Sequence, residues 1–133
     1  MTDEKGLVEL LRKAGYPEKA IDYYMMKLNV GVIEGAEAVD SFTGLCGDSM
    51  RIYLKVEDDV IKDAKFQAIG CAGAFASGSA LTEMVKGKTL KEAEKITEHD
   101  ILKDLEGLPG PKLHCARLSV DALRKSIESY MKR

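Results

Sequence analysis

The reactive residues of this sequence are three cysteines, each with a second useful donor or a run of small residues beside it. Cys46 opens "CGD", with Asp48 two positions on; Cys71 stands in "IGCAGAFASG"; Cys115 follows His114 in "LPGPKLHCARLS". A lone cysteine is ordinarily a small buried hydrophobe. Three at junctions between elements, one of them next to an imidazole, call for another explanation. Cys46, Cys71 and Cys115, with Asp48 or His114 as a harder fourth donor, form a set that suits either zinc or an iron-sulfur cluster. No C-x-x-C pair is present, so the fold itself must assemble such a site. An extended "CGD" would put Asp48 on the same side as Cys46. His99, among charges in "TEHD", is expected to face solvent and to stay out of the site.

The elements that must position these residues read as α, then β, then α. "EKGLVELLRKAG" carries Leu7, Leu10 and Leu11 at helical spacing, and "PEKAIDYYMMKLN" continues as a second helix with Pro17 in its first turn. "SMRIYLKVE" alternates Met50, Ile52, Leu54 and Val56 with polar residues, the pattern of a strand with one buried face. Asp58 and Asp59 suggest a turn into "VIKDAKFQAIG", which carries Ala64, Phe66 and Ala68 on one face, so the two segments pair as an antiparallel hairpin. An earlier strand is expected around Val39 to Leu45. After Gly70 a small-residue helix runs to Gly87, two short helices start at Thr89 and Thr97, and a last helix starts near His114. The expected fold is α+β, a small three-stranded antiparallel sheet packed against several helices. Two of the three cysteines then sit at helix starts, where unpaired N–H groups favour a thiolate.

Composition bounds the function classes. The chain has 133 residues, 45% hydrophobic and 32% charged, and reads as one domain over 1–133 with a helical segment at 1–27. Its 20 basic and 22 acidic residues are scattered, so no basic stripe points to nucleic acid. No apolar run is long enough for a membrane span, and "MTDEKGLVELL" lacks the pattern of a signal peptide, so the expected location is the cytoplasm. A cysteine enzyme using Cys115 and His114 as a dyad is disfavoured, because adjacent helical residues point about 100° apart. Gly73 and Gly78 in "GAFASGSA" have phosphate-loop spacing, but the lysine that should follow is missing.

The segments "LCGDSMRIYLKV", "DAKFQAIGCAGAFASGSALTEMVKGKTLKEA" and "LPGPKLHCARLSVDALRKSI" together resemble the U-type iron-sulfur cluster assembly scaffolds, that is, IscU and the N-terminal domain of NifU. The resemblance covers about residues 28–130 and includes "NVGVIEGAEA". It implies a scaffold and sulfur acceptor rather than a turnover enzyme, on which a transient cluster, 2Fe-2S in kind, is built from iron and sulfur and passed to apo-proteins. It implies Cys46, Cys71 and Cys115 as cluster ligands, Asp48 and His114 as further ligand candidates, and Cys115 as the persulfide acceptor. The implied partners are a cysteine desulfurase and cluster-accepting apo-proteins, then ferredoxin, a frataxin-like protein and Hsp70/J-type chaperones. A homodimer is compatible with it. A zinc-binding module on the same residues is the rival reading. One departure concerns the chaperone-recognised segment, which here reads Leu108, Pro109, Gly110, Pro111 and Lys112, with glycine in place of a proline.

Overall fold

The computed structural model describes residues 4–45 and 47–132. It opens with α1 (Glu4–Lys13) and α2 (Glu18–Met26), followed by the strands β1 (Ala38–Thr43), β2 (Ser49–Glu57) and β3 (Val60–Ile69). Four helices follow: α3 (Ala72–Val85), α4 (Leu90–Glu94), α5 (Glu98–Leu105) and α6 (His114–Met131), the last preceded by a 3-10 turn at Gly110–Lys112. The strands lie in the order β1-β2-β3, antiparallel throughout, so the expected α+β architecture is the one that forms. Among the described residues no helix is long and apolar enough to cross a membrane.

The sheet follows from the period-2 pattern. Met50, Ile52, Leu54 and Val56 are buried, as are Ala64 and Phe66 opposite them, and Ala68 is partly buried against the same core. Asp58 and Asp59 both have left-handed φ, 53° and 62°, the backbone of the tight turn whose twist matches a hairpin. The exposed edge of β3 is covered: Gly31 donates to the carbonyl of Phe66 at 2.8 Å, and Phe66 donates to that of Asn29 at 3.0 Å. Two boundaries differ from the sequence pattern. β1 stops at Thr43 rather than Leu45, because the Gly44 N–H turns to the Asp48 carbonyl at 2.8 Å. Pro17 is the N-cap of α2 rather than part of its first turn, since its ψ of 157° is extended.

Helices cover one face of this sheet, with α6 on β1 and β2 and α3 on β3. Ser126 of α6 donates to the Ile52 carbonyl at 3.1 Å, a direct tie between helix and sheet. The small residues of α3 let it approach β3 closely. A Cβ on Gly78 would stand 2.5 Å from a ring carbon of Phe66, so only glycine allows the wholly buried ring to lie flat against the helix. Thr89 with Glu92, and Thr97 with Asp100, form the capping boxes that start α4 and α5. By contrast α1 has no fully buried residue: Val8 and Leu11 pack partly buried against the core, and the Arg12–Glu18 ion pair to α2 at 2.7 Å is an exposed contact of small energetic value.

Gly78→Ala should force the Phe66 ring out of its rotamer or shift α3, at a cost of about 1–3 kcal/mol. Urea unfolding monitored by circular dichroism measures this; an unchanged midpoint would mean that the ring accommodates the methyl group.

Candidate metal centre

The register of the sheet brings two of the cysteine-bearing loops to one edge. Thr43 pairs with Ser49, and Ser49 with Ile69, so Asp48 and the Gly70–Cys71 segment lie side by side. The start of α6 reaches the same place: Cys71 Sγ and Cys115 Sγ are 3.6 Å apart. Carboxylate, imidazole and thiol ligand atoms of Asp48, His114 and Cys115 all lie within 4.8 Å of one another. Four of the five residues singled out in the sequence are thus gathered. The fifth, Cys46, lies outside the described residues. Gly47, next to it, has φ +87° and donates to the Gly44 carbonyl at 3.0 Å. His99 is exposed on α5, as expected.

Glycines make room for the donors. A Cβ on Gly70 would stand 2.9 Å from Asp48 Oδ2, and one on Gly73 would stand 3.2 Å from Cys115 Sγ. Gly73 and Gly78 both lie inside α3, so the "GAFASGSA" segment offers no phosphate-cradling loop. His114 Nε2 is 3.8 Å from Cys115 Sγ, so the imidazole stands beside the neighbouring thiol. His114 is the first residue of α6, and no preceding turn of that helix obstructs its ring.

The two thiols, alike in chemistry, are held in opposite states. Cys71 is the N-cap of the fourteen-residue α3 and is partly exposed, whereas Cys115 is wholly buried. The Cys71 thiol is held down to about 5, first by the hydrogen bond from Cys115 and then, against the cost of burial, by the N–H groups of Ala74 and Gly73 and the charge of Lys112. Cys115 is pushed up, by the same hydrogen bond, by burial, and by the negative charges of Cys71 and Asp48. The two sulfurs touch, so they titrate as a pair rather than independently. The charge of Lys112 acts on both sulfurs, favouring their thiolate forms.

Tyr16 went unnoticed in the sequence. It is buried beside the two thiols, and its hydroxyl is pushed up to about 12 by burial and then by the charges of Cys71 and Cys115. Nothing in "AGYPEK" signals this, because the contact joins the N-terminal segment to α3 and α6. Gly70 and Gly73 did leave a signal, a glycine or small residue on either side of Cys71.

On the other side of Asp48 and His114 a largely apolar hollow of about 530 Å³ opens between Phe42, Leu45 and Leu118, with Arg117 and Asp121 also in its wall. Three exposed aliphatic residues, Leu45, Ile69 and Leu113, stand within two positions of a cysteine each. The donor set of two or more sulfurs, one carboxylate and one imidazole can hold zinc or iron, and its harder members leave part of the coordination exchangeable.

Comparison with known proteins agrees with this geometry. Residues 15–133 match the family model described as "NifU-like N terminal domain". Over 119 residues the chain is 47% identical to the iron-sulfur cluster assembly scaffold protein IscU 1 of Archaeoglobus fulgidus, covering 89% of this chain and 78% of that protein. It is 43% identical over 119 residues to the iron-sulfur cluster assembly scaffold protein IscU of Aquifex aeolicus, covering 87% and 76%. The crystal structure of an N-terminal nitrogen-fixing NifU-like protein from Brucella abortus shares the fold, with a TM-score of 0.71 at 21% identity over 92% of this chain and 99% of that one.

The depressed Cys71 thiol predicts a pH dependence. A lowered pKa means that thiolate is present above about 5 and is lost as pH falls through it. Alkylation of Cys71 in the metal-free protein should therefore rise through about pH 5 and level off before neutrality. A midpoint near 9, the ordinary thiol value, would show that Cys115 and the helix N–H groups do not hold the charge.

Proposed function

The chain belongs to the NifU-like N-terminal domain family of IscU-type scaffolds, and from that premise we propose that it is a scaffold on which a 2Fe-2S cluster is assembled and then released to apo-proteins. The observation that carries this reading is the gathering of Asp48, His114 and Cys115 ligand atoms within 4.8 Å, with Cys71 Sγ in contact with Cys115 Sγ. Cys71 and Cys115, joined by Cys46, supply thiolates for iron; Asp48 and His114 supply the harder donors. The cluster is cargo, so a ligand set that binds well and releases well serves better than one that binds tightest. A carboxylate is the weaker partner for iron in a sulfur-rich site, and Asp48 is the donor whose displacement lets the cluster leave.

Sulfur comes from a cysteine desulfurase and is held as a persulfide on Cys115. His114, beside that sulfur, either completes the iron coordination or holds the acceptor in place. The recipients are apo-proteins that offer a full set of stronger ligands, ferredoxins among them; the Leu108–Lys112 segment next to the site is where a chaperone would grip. The chain acts as one such domain, in the cytoplasm, without catalysing turnover of its own.

Anaerobic incubation of metal-free protein with ferrous iron, cysteine and a desulfurase should produce sulfide-to-iron absorption bands with equal iron and sulfide, and Cys46→Ala, Cys71→Ala and Cys115→Ala should each abolish them. Stoichiometric zinc binding with no cluster under these conditions would replace this reading with that of a zinc-binding module.

Asp48→Ala should retain the bands but slow transfer to an apo-ferredoxin at least about tenfold, equivalent to about 1.4 kcal/mol in the barrier. A transfer rate equal to that of the unaltered chain would remove Asp48 from the release step.

A further inference from the structure

The proposed acceptor is out of reach of any donor in this structure. Cys115 is wholly buried, and its sulfur lies against Gly73, where even an added methyl group would come to 3.2 Å. Cys71 is partly exposed, and its sulfur touches that of Cys115 across 3.6 Å. Sulfur brought to this edge of the sheet therefore meets Cys71 first.

We propose that Cys71 and Cys115 form a two-step sulfur relay, in which Cys71 Sγ receives the sulfane sulfur from a protein or small-molecule persulfide and passes it inward to Cys115 Sγ. This rests on the reading of Cys115 as the residue that finally holds the persulfide. In the first step the Cys71 thiolate attacks the outer sulfur of the donor R–S–SH. The bond from that sulfur to the donor breaks, the donor leaves as thiolate with the electron pair, and Cys71–S–SH forms. In the second step Cys115 Sγ attacks the same outer sulfur. A new S–S bond forms to Cys115, the bond to Cys71 Sγ breaks, and Cys71 departs with the electron pair. The proton that Cys115 gives up on attacking goes to the Cys71 sulfur it touches, giving Cys71–SH and Cys115–S–SH. Atoms balance, and nothing is oxidised or reduced overall, so no outside reductant enters.

The fold suits both steps. Reaction between groups already in contact needs little reorganisation. Cys71 occupies the N-cap of α3, at the positive end of the helix dipole, which favours negative sulfur and helps it both as attacking nucleophile and as departing group. The transfer ends with the sulfur on the residue that shares the ligand group with Asp48 and His114. Exposed Ile69, two residues before Cys71, lies beside the point of arrival.

The test uses the full metal-free chain, held without oxygen and mixed with one equivalent of glutathione persulfide. Samples are quenched by alkylation over time, and each cysteine is assigned by peptide mass. The added sulfur should appear on Cys71 first and on Cys115 later. Cys115→Ser should trap it on Cys71. Cys71→Ser, which keeps a favoured N-cap residue and so preserves the helix start, should slow loading of Cys115 at least about tenfold. Loading of Cys115 in Cys71→Ser at the unaltered rate overturns the relay and leaves the acceptor assignment standing. Sulfur that remains on Cys71 of the unaltered chain, or settles on Cys46, overturns the acceptor assignment and the relay with it.

Discussion

Two sulfur atoms in contact where two helices begin are the constraint from which the rest of the site follows. Cys71 and Cys115 lie 44 positions apart in the chain, and their 3.6 Å separation is set by packing rather than by any local motif. α3 reaches its position because Gly78 admits the Phe66 ring, and α6 reaches its own because Ser126 and its apolar neighbours fasten it to β1 and β2. A close-packed interior transmits small displacements instead of absorbing them. The sulfur contact is therefore a property of the whole sheet-and-helix layer, and a change at Phe66 reaches the donors although it touches none of them.

The same contact separates two identical side chains into different roles. Cys71 stands ahead of the first turn of its helix and is partly exposed; Cys115 stands inside the first turn of α6, out of solvent and close to the Asp48 charge. The proposed relay, with arrival at Cys71 and storage at Cys115, draws on this difference in exposure and position. No difference in residue type is needed.

What could be read from the sequence divides along physical lines. Alternation in Met50–Val56, the Asp58–Asp59 turn and the capping residues Thr89 and Thr97 are local, and each fixes backbone over a few positions; all of them reappear in the structure. The convergence of Asp48, Cys71, His114 and Cys115 was legible as three junctions at element ends, because loops at one edge of a sheet must meet. The depth of Cys115, the meeting of Tyr16 with the thiols and the turn at Gly47 were not legible. Each depends on tertiary packing or on a left-handed φ that glycine permits but does not announce.

The N-terminal segment shows how closely the site is tied to residues that look peripheral. α1 has no fully buried residue and packs on the core only through the partly buried Val8 and Leu11, beside the exposed Arg12–Glu18 ion pair. Beyond it the chain changes character within a few residues. The space around Gly15 is bounded by Pro109, Tyr16 is buried beside both thiols, and Ala20 and Ile21 enter the core through α2. Pro109 opens the turn that carries Lys112, and Lys112 in turn acts on both sulfurs. The stretch from Gly15 to Ile21 therefore braces the cysteine pair from one side while the Pro109–Lys112 turn braces it from another, and each leans on the other at Gly15.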